Sequence, residues 1–217
     1  MAKGFGNKKP QTGGIFKMVI KDQTNPVIQE QVKNGSRWQA GPEAQDITGD
    51  LHGFDFGSYE YRGDKIDTME LLMDIGREAP VRLQMNVDNG IGRSLINTLS
   101  SIENLPGKEV SIRVYTNKGG YASVFIEVEG ERAGWKFEIV EHKGVKCLNV
   151  DGKKIPLAKM TPDKWVKLGD KFIVAQFNDY DFDQQMEGSD PFPTMEDEPG
   201  TPEEVVTADE MDDDLPF

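Results

Sequence analysis

Cysteine is almost missing from this chain of 217 residues: Cys147 stands alone. One thiol excludes an internal disulfide framework and fits a reducing compartment, and its place in an alternating segment predicts a buried, inert side chain. Histidine is as scarce, with only His52 and His142, which excludes a His-rich metal centre. No run of 18 apolar residues occurs, so no membrane-spanning helix is expected. The first fourteen residues are basic and glycine-rich but lead into no apolar signal-peptide core, and a cytoplasmic protein is expected. No repeat of fixed period is present. Gly90 and Gly92 lack the third glycine, the lysine and the later acid that a nucleotide phosphate loop requires.

The last absence is of positive charge. Every one of the 25 Lys and Arg residues lies at or before Lys171, whereas 15 of the 38 Asp and Glu residues fall within residues 172–217. With 25 cations against 23 acids the body carries +2, and the tail carries −15, accounting for the −13 of the whole. A segment this acidic, interrupted by Pro191, Pro193, Pro199, Pro202 and Pro216, cannot bury enough apolar surface to offset the entropy of ordering it, so residues 178–217 are expected to be a disordered acidic tail.

That tail finishes on Leu215, Pro216 and Phe217, directly after Asp212, Asp213 and Asp214. A solubility tail has no need of such an ending. An acidic hook with an apolar point suits a small greasy pocket rimmed by Lys or Arg on another protein. The six residues DDDLPF resemble the C-terminal tip of bacterial single-stranded DNA-binding proteins, which ends Asp-Asp-Asp-Ile-Pro-Phe. The resemblance implies that the tip recruits replication and repair proteins to coated single strands.

Length leaves room for one domain, residues 15–177, behind a flexible N-terminal arm, residues 1–14, whose Lys3, Lys8 and Lys9 are candidates to touch phosphate. Residues 15–21 alternate as a strand. Residues 27–40 fit no single element, and Trp38 reads equally as a base-stacking residue or a core anchor. Residues 47–62 form a long aromatic strand in which Phe54 and Phe56 share one phase and Tyr59 and Tyr61 the other, with a bulge expected at Gly57-Ser58. Residues 65–75 suit a strand, with helix as the alternative because Met, Leu and Glu are good helix formers. Residues 81–88 alternate cleanly. Ile91, Leu95, Leu99 and Ile102 recur at helical spacing before Pro106-Gly107.

Two further strands carry the candidate site. In residues 109–116, Val110, Ile112 and Val114 form the core phase, leaving Ser111, Arg113 and Tyr115 opposite. After the turn Asn117-Lys118-Gly119-Gly120, the core phase is Ala122, Val124, Ile126 and Val128, leaving Tyr121, Ser123 and Phe125 on the other side. Rings displayed beside cations suit unpaired nucleic acid, since each base stacks for roughly 1–3 kcal/mol while cations follow the phosphates. Paired aromatics also stabilise a hairpin by themselves. Strands are further expected at 135–140, 145–150 and 171–177, and a short helix at 161–168 that Gly169 stops.

The order strand, strand, strand, helix, strand, strand predicts a mainly β fold: an OB-fold-like five-stranded barrel with one helix between the third and fourth strands and extra C-terminal strands. With its acidic tail, the whole is similar to phage-type single-stranded DNA-binding proteins. It departs from the bacterial proteins in its larger body and in lacking a Gln/Gly-rich linker, so a monomer or dimer is expected rather than a tetramer.

Catalysis has little support. Asp179, Asp181 and Asp183 are spaced like ligands, but Gln184 and Asp190 stand where a calcium loop needs its glycine and final glutamate. The expected function is therefore non-enzymatic, without cofactor or metal: a protein that coats and protects single-stranded DNA. Stacking is assigned to Tyr115, Tyr121, Phe125 and Trp135, and phosphate contact to Arg82, Arg113, Lys118 and Lys136. Asp212, Asp213, Asp214, Leu215, Pro216 and Phe217 form the partner-binding tip, and the −15 tail is expected to compete with DNA for the cationic surface at low salt. An adaptor that presents the tip without binding DNA, and a strand-annealing recombination mediator, are the alternatives.

Overall fold

A computed structural model describes residues 13–22 and 24–178. The expectations for the acidic tail, its tip and most of the N-terminal arm lie outside the described residues.

The chain is mainly β. Nine strands form one sheet: β1 (Gly14–Lys21), β2 (Asn25–Asn34), β3 (Arg37–Ala44), β4 (Asp46–Tyr61), β5 (Asp64–Asp74), β6 (Val81–Asn86), β7 (Glu109–Thr116), β8 (Ala122–Val128) and β9 (Glu131–Arg132). Their order across the sheet is β3-β2-β1-β6-β5-β4-β7-β8-β9. All neighbours are antiparallel except β1 and β6, which run parallel. Helix α1 (Gly90–Leu99) joins β6 to β7, and a second sheet holds β10 (Ile139–His142), β11 (Val145–Val150) and β12 (Lys153–Pro156).

The expected five-stranded barrel is replaced by this larger open sheet. The β4-β5-β6-α1-β7-β8 run has the expected order, but β1 takes the free edge of β6, and β2 and β3 extend the sheet beyond it. The sheet still curls. The Thr116 hydroxyl at the end of β7 donates to the Thr24 carbonyl in the β1–β2 turn at 2.9 Å, although three strands stand between β1 and β7 in the ladder.

One core fills the concave side. Phe16, Ile28, Leu51, Phe54, Leu71, Leu83, Ile112 and Ile126 from the sheet meet Ile91, Leu95, Ile96 and Leu99 of α1. Asn89 caps α1, its side chain accepting from the Gly92 amide at 2.8 Å. The helix stops at Leu99, well short of Pro106. Just past its end the Ser101 hydroxyl, with one proton to share, lies 2.7 and 3.0 Å from the carbonyl oxygens of Thr98 and Gly134, tying the chain here to the segment before β10.

The strand expected at 65–75 is present as Asp64–Asp74, and the helical alternative falls away because β5 is paired on both sides, to β4 and β6. Several other expectations are corrected. The bulge of β4 lies between Leu51 and Gly53, and the register runs unbroken through Gly57 and Ser58. Tyr59 and Tyr61 alternate with Phe54 and Phe56 with no break between them. Trp135, Lys136 and Phe137 precede β10 rather than belonging to a strand, because Asn97 of α1 takes the backbone bonds of Phe137: its amide donates to Asn97 Oδ1 at 2.8 Å and its carbonyl accepts from Asn97 Nδ2 at 2.9 Å.

Residues 171–177 are helical. Helix α2 (Pro162–Gly169) continues through a π-helical turn (Asp170–Val174) into Ala175–Phe177. Gly169 does not stop it; a Cβ there would meet the Phe56 ring at 2.3 Å, so the glycine lets the helix lie directly on β4. Ile173, Val174 and Phe177 are buried in the main core. A tail deletion must therefore begin after Asn178.

Candidate nucleic-acid interface

The β7–β8 hairpin is built as its alternation requires. Val110, Ile112, Val114, Ile126 and Val128 are buried, while register pairs Arg113 with Phe125 and Tyr115 with Ser123 on the convex face. Arg113 is exposed and makes no ion pair among the described residues. Phe125 is half-buried, with the guanidinium of Arg132 from β9 lying 5.4 Å from its ring centroid.

Asn117 holds the hairpin tip. Its amide donates to the Tyr121 carbonyl at 2.9 Å, its carbonyl accepts from the Gly120 amide at 2.9 Å, and its Oδ1 accepts from the amides of Gly119 and Tyr121 at 2.9 and 3.1 Å. Asn117 Nδ2 also donates to Ser123 Oγ at 2.9 Å. These bonds fix the tip, which presents exposed Lys118 and a Tyr121 ring that is 72% exposed.

A second aromatic cluster stands at the other end of β4. Beyond Phe56 and Met69 the β4–β5 ribbon leaves the core, and residues 57–61 are exposed. Its two-residue turn, Arg62-Gly63, has both φ angles positive, as such a hairpin requires. Tyr59 and Tyr61 are 49% and 57% exposed, and Arg62 lies 5.2 Å from the Tyr61 ring centroid. The bulge at residue 52 keeps β4 in phase: Ile47, Leu51 and Phe54 face the core, while Asp46, Asp55, Tyr59 and Tyr61 share the convex face with Arg113 and Tyr115. Every tyrosine among the described residues is therefore exposed at or beside a hairpin tip.

Between the two clusters a polar row crosses the same face. Register aligns Asp55, Glu70, Gln84, Lys17, Gln29 and Glu43 on successive strands. Gln84 donates to Glu70 at 2.9 Å, and Gln29 to Glu43 at 3.1 Å. Lys17 in the middle is half-buried, and burial pulls its ammonium below the usual lysine range. Arg82 also lies on this face, 3.9 Å from Glu70 and with only 13% of its side chain exposed. Burial lowers its pKa, opposed by Glu70 and Asp55. It belongs to the strand-to-strand polar network more than to a displayed surface.

Arg113, Tyr115, Lys118, Tyr121 and Phe125 thus come together as the alternation implies. Trp135 and Lys136 fall elsewhere. Trp135 walls a separate cleft of about 200 Å³ beside α1, and Lys136 lies 5.4 Å from the ring of Phe172. Sequence reasoning passed over Tyr59, Tyr61, Arg62, Lys17 and Arg132. The first two carried a signal, an alternating aromatic pair just before an Arg-Gly turn. Lys17 and Arg132 gain their place only from register.

Cys147 is buried, 3.5 Å from the Val145 carbonyl. Among the described residues no group of His, Cys, Asp and Glu is arranged to hold a metal ion, and no helix is long and apolar enough to cross a membrane. Compared with protein-family models, curated proteins and solved structures, the chain matches none.

Proposed function

We propose that the protein binds single-stranded DNA without sequence preference and without catalysis, covering it on the convex face of the curled sheet. One observation carries this reading. Tyr59, Tyr61, Tyr115 and Tyr121 all stand exposed at the two ends of β4, beside Arg62, Arg113 and Lys118. Large aromatic rings normally go to the core, where their area stabilises most. Four left outside, next to cations, suit successive bases that stack while phosphates meet Arg and Lys.

The β4-β5-β6-α1-β7-β8 run supports an OB-like reading, in which an outer sheet face and the loops flanking it hold the oligonucleotide. The β4–β5 and β7–β8 turns would be those loops. The tip at residues 212–217 would recruit replication and repair proteins, and the −15 tail would weaken DNA binding at low salt. A gel-shift with labelled oligo-dT tests the central part. Retention against excess duplex, with release by unlabelled single strands, is the expected result; equal release by duplex would reject it.

A further inference from the structure

The cleft beside α1 is not absorbed by the nucleic-acid face. Trp135, Ile139, Leu148, Leu157, Met160 and Trp165 form its apolar walls, and Arg93 is its one charged residue. Arg93 is half-buried and makes no ion pair among the described residues. Its Nε is buried without a hydrogen-bond partner, and so is Nε1 of Trp165, a side chain 96% buried (4% exposed). A half-buried cation with no counter-charge and an indole N–H with no acceptor together mark a place where an anionic, hydrogen-bond-accepting, largely apolar group would be stabilised. At about 200 Å³ the cleft is smaller than the roughly 300–1,000 Å³ of small-molecule sites. It suits one or two apolar side chains. Stacked bases want flat open rings, and most of these walls are aliphatic.

We infer that the cleft takes the chain's own tip, with Leu215, Pro216 or Phe217 against the apolar walls and Asp212, Asp213 and Asp214 toward Arg93. Charge and greasiness match: the tip is three acids followed by three apolar residues. The cleft walls contain no acid, and of the charged residues that adjoin a lining residue in sequence three are cations, Lys136, Lys159 and Lys164, against one acid, Glu138. Reach allows it. Thirty-nine residues follow Asn178, a contour of about 130 Å, against a radius of gyration of about 15 Å for a body this size. Docking there would hide the tip from other proteins until one with a better pocket displaces it. The inference does not need the DNA-binding reading.

The test uses the full chain carrying Leu215→Ser and Phe217→Ser, so that its own tip does not compete, and a fluorescent peptide of residues 208–217. Saturable binding by anisotropy is expected, weakened about tenfold or more by Arg93→Glu and independently by Leu157→Asp, but not by Arg37→Glu on β3. Thermal melting of each variant reports whether it is folded. No peptide binding, or equal binding to folded Arg93→Glu and Leu157→Asp proteins, overturns the inference. So does a result in which Arg93→Glu releases oligo-dT and leaves the peptide bound, which would give the cleft to nucleic acid. The peptide arm contains no DNA, so its failure leaves the proposed function standing.

Discussion

The guanidinium of Arg132 lies over the ring of Phe125, 5.4 Å from its centroid. Arg132 pairs with Glu127 across the β8–β9 hairpin, two residues along from Phe125 on the same face. A ring with a cation on one side has less free surface for a base, so Phe125 is expected to stack less than Tyr115 or Tyr121, and Arg132 to meet phosphate instead. Arg132→Ala should make the salt dependence of oligo-dT binding shallower, by about 0.7 in the slope of log K against log salt. Titrations at several salt concentrations measure this, and an unchanged slope would remove Arg132 from the interface.

The two tyrosine clusters sit fifteen residues apart along β4, from Asp46 beside Arg113 to Tyr61, which is about 50 Å of strand path before coiling. A short oligonucleotide should reach only one of them. Tyr61→Ala is expected to cost about 1–3 kcal/mol of affinity for an oligo-dT of about sixteen residues and much less for one of about four. Isothermal titration with both lengths measures the difference. Equal losses at the two lengths would place both clusters under the same few nucleotides.

Lys17 is expected to link stability to the proposed binding. Burial lowers its pKa, so its ammonium costs the folded state stability at every pH below the lowered folded value. That cost fades as pH rises from there toward the ordinary lysine value of 10.5. Lys17→Met should therefore raise the urea midpoint at pH 7, with the gain over the parent shrinking as pH approaches 10–11 (about the unfolded lysine pKa). The same substitution should weaken oligo-dT binding. A lower midpoint at pH 7 would show that Lys17 is held by interactions that outweigh its desolvation.

Gly169 tests the join between α2 and β4. A Cβ there would stand 2.3 Å from the Phe56 ring, which itself packs edge-on against Phe54 with centroids 5.1 Å apart. Gly169→Ala should destabilise by about 1–3 kcal/mol through overpacking, despite alanine's better helix propensity. Urea unfolding reads this directly. A neutral or stabilising result would mean that the helix shifts freely on the sheet.

Alternation made most of the sheet legible, because residues 109–128 and 81–86 each face the core on one side only. Arg113, Tyr115, Tyr121 and Phe125 could be grouped for that reason. What alternation does not carry is which strands pair. The parallel insertion of β1 beside β6, which turns an expected barrel into a nine-stranded sheet, leaves no mark in either strand's own sequence. Tertiary contacts decided the misread ends. Residues 171–177 look like a strand by composition but are helical because Ile173, Val174 and Phe177 reach the core at helical spacing, with Gln176 Oε1 accepting from Leu105 N at 2.9 Å. Trp135 reads as an exposed strand aromatic, yet Asn97 draws its segment onto α1 and into another site.

In the proposed function, exposed rings on one sheet face bind unpaired bases. The direct measurement is titration of the full chain with long oligo-dT, following the emission of its three Trp and five Tyr beside the same titration of a Tyr61→Ala, Tyr121→Ala double variant. Saturable quenching of the parent, with affinity in the double variant reduced about tenfold or more at unchanged melting temperature, is the expected outcome. A parent that shows no response, or a double variant that binds as tightly as the parent, would contradict the account.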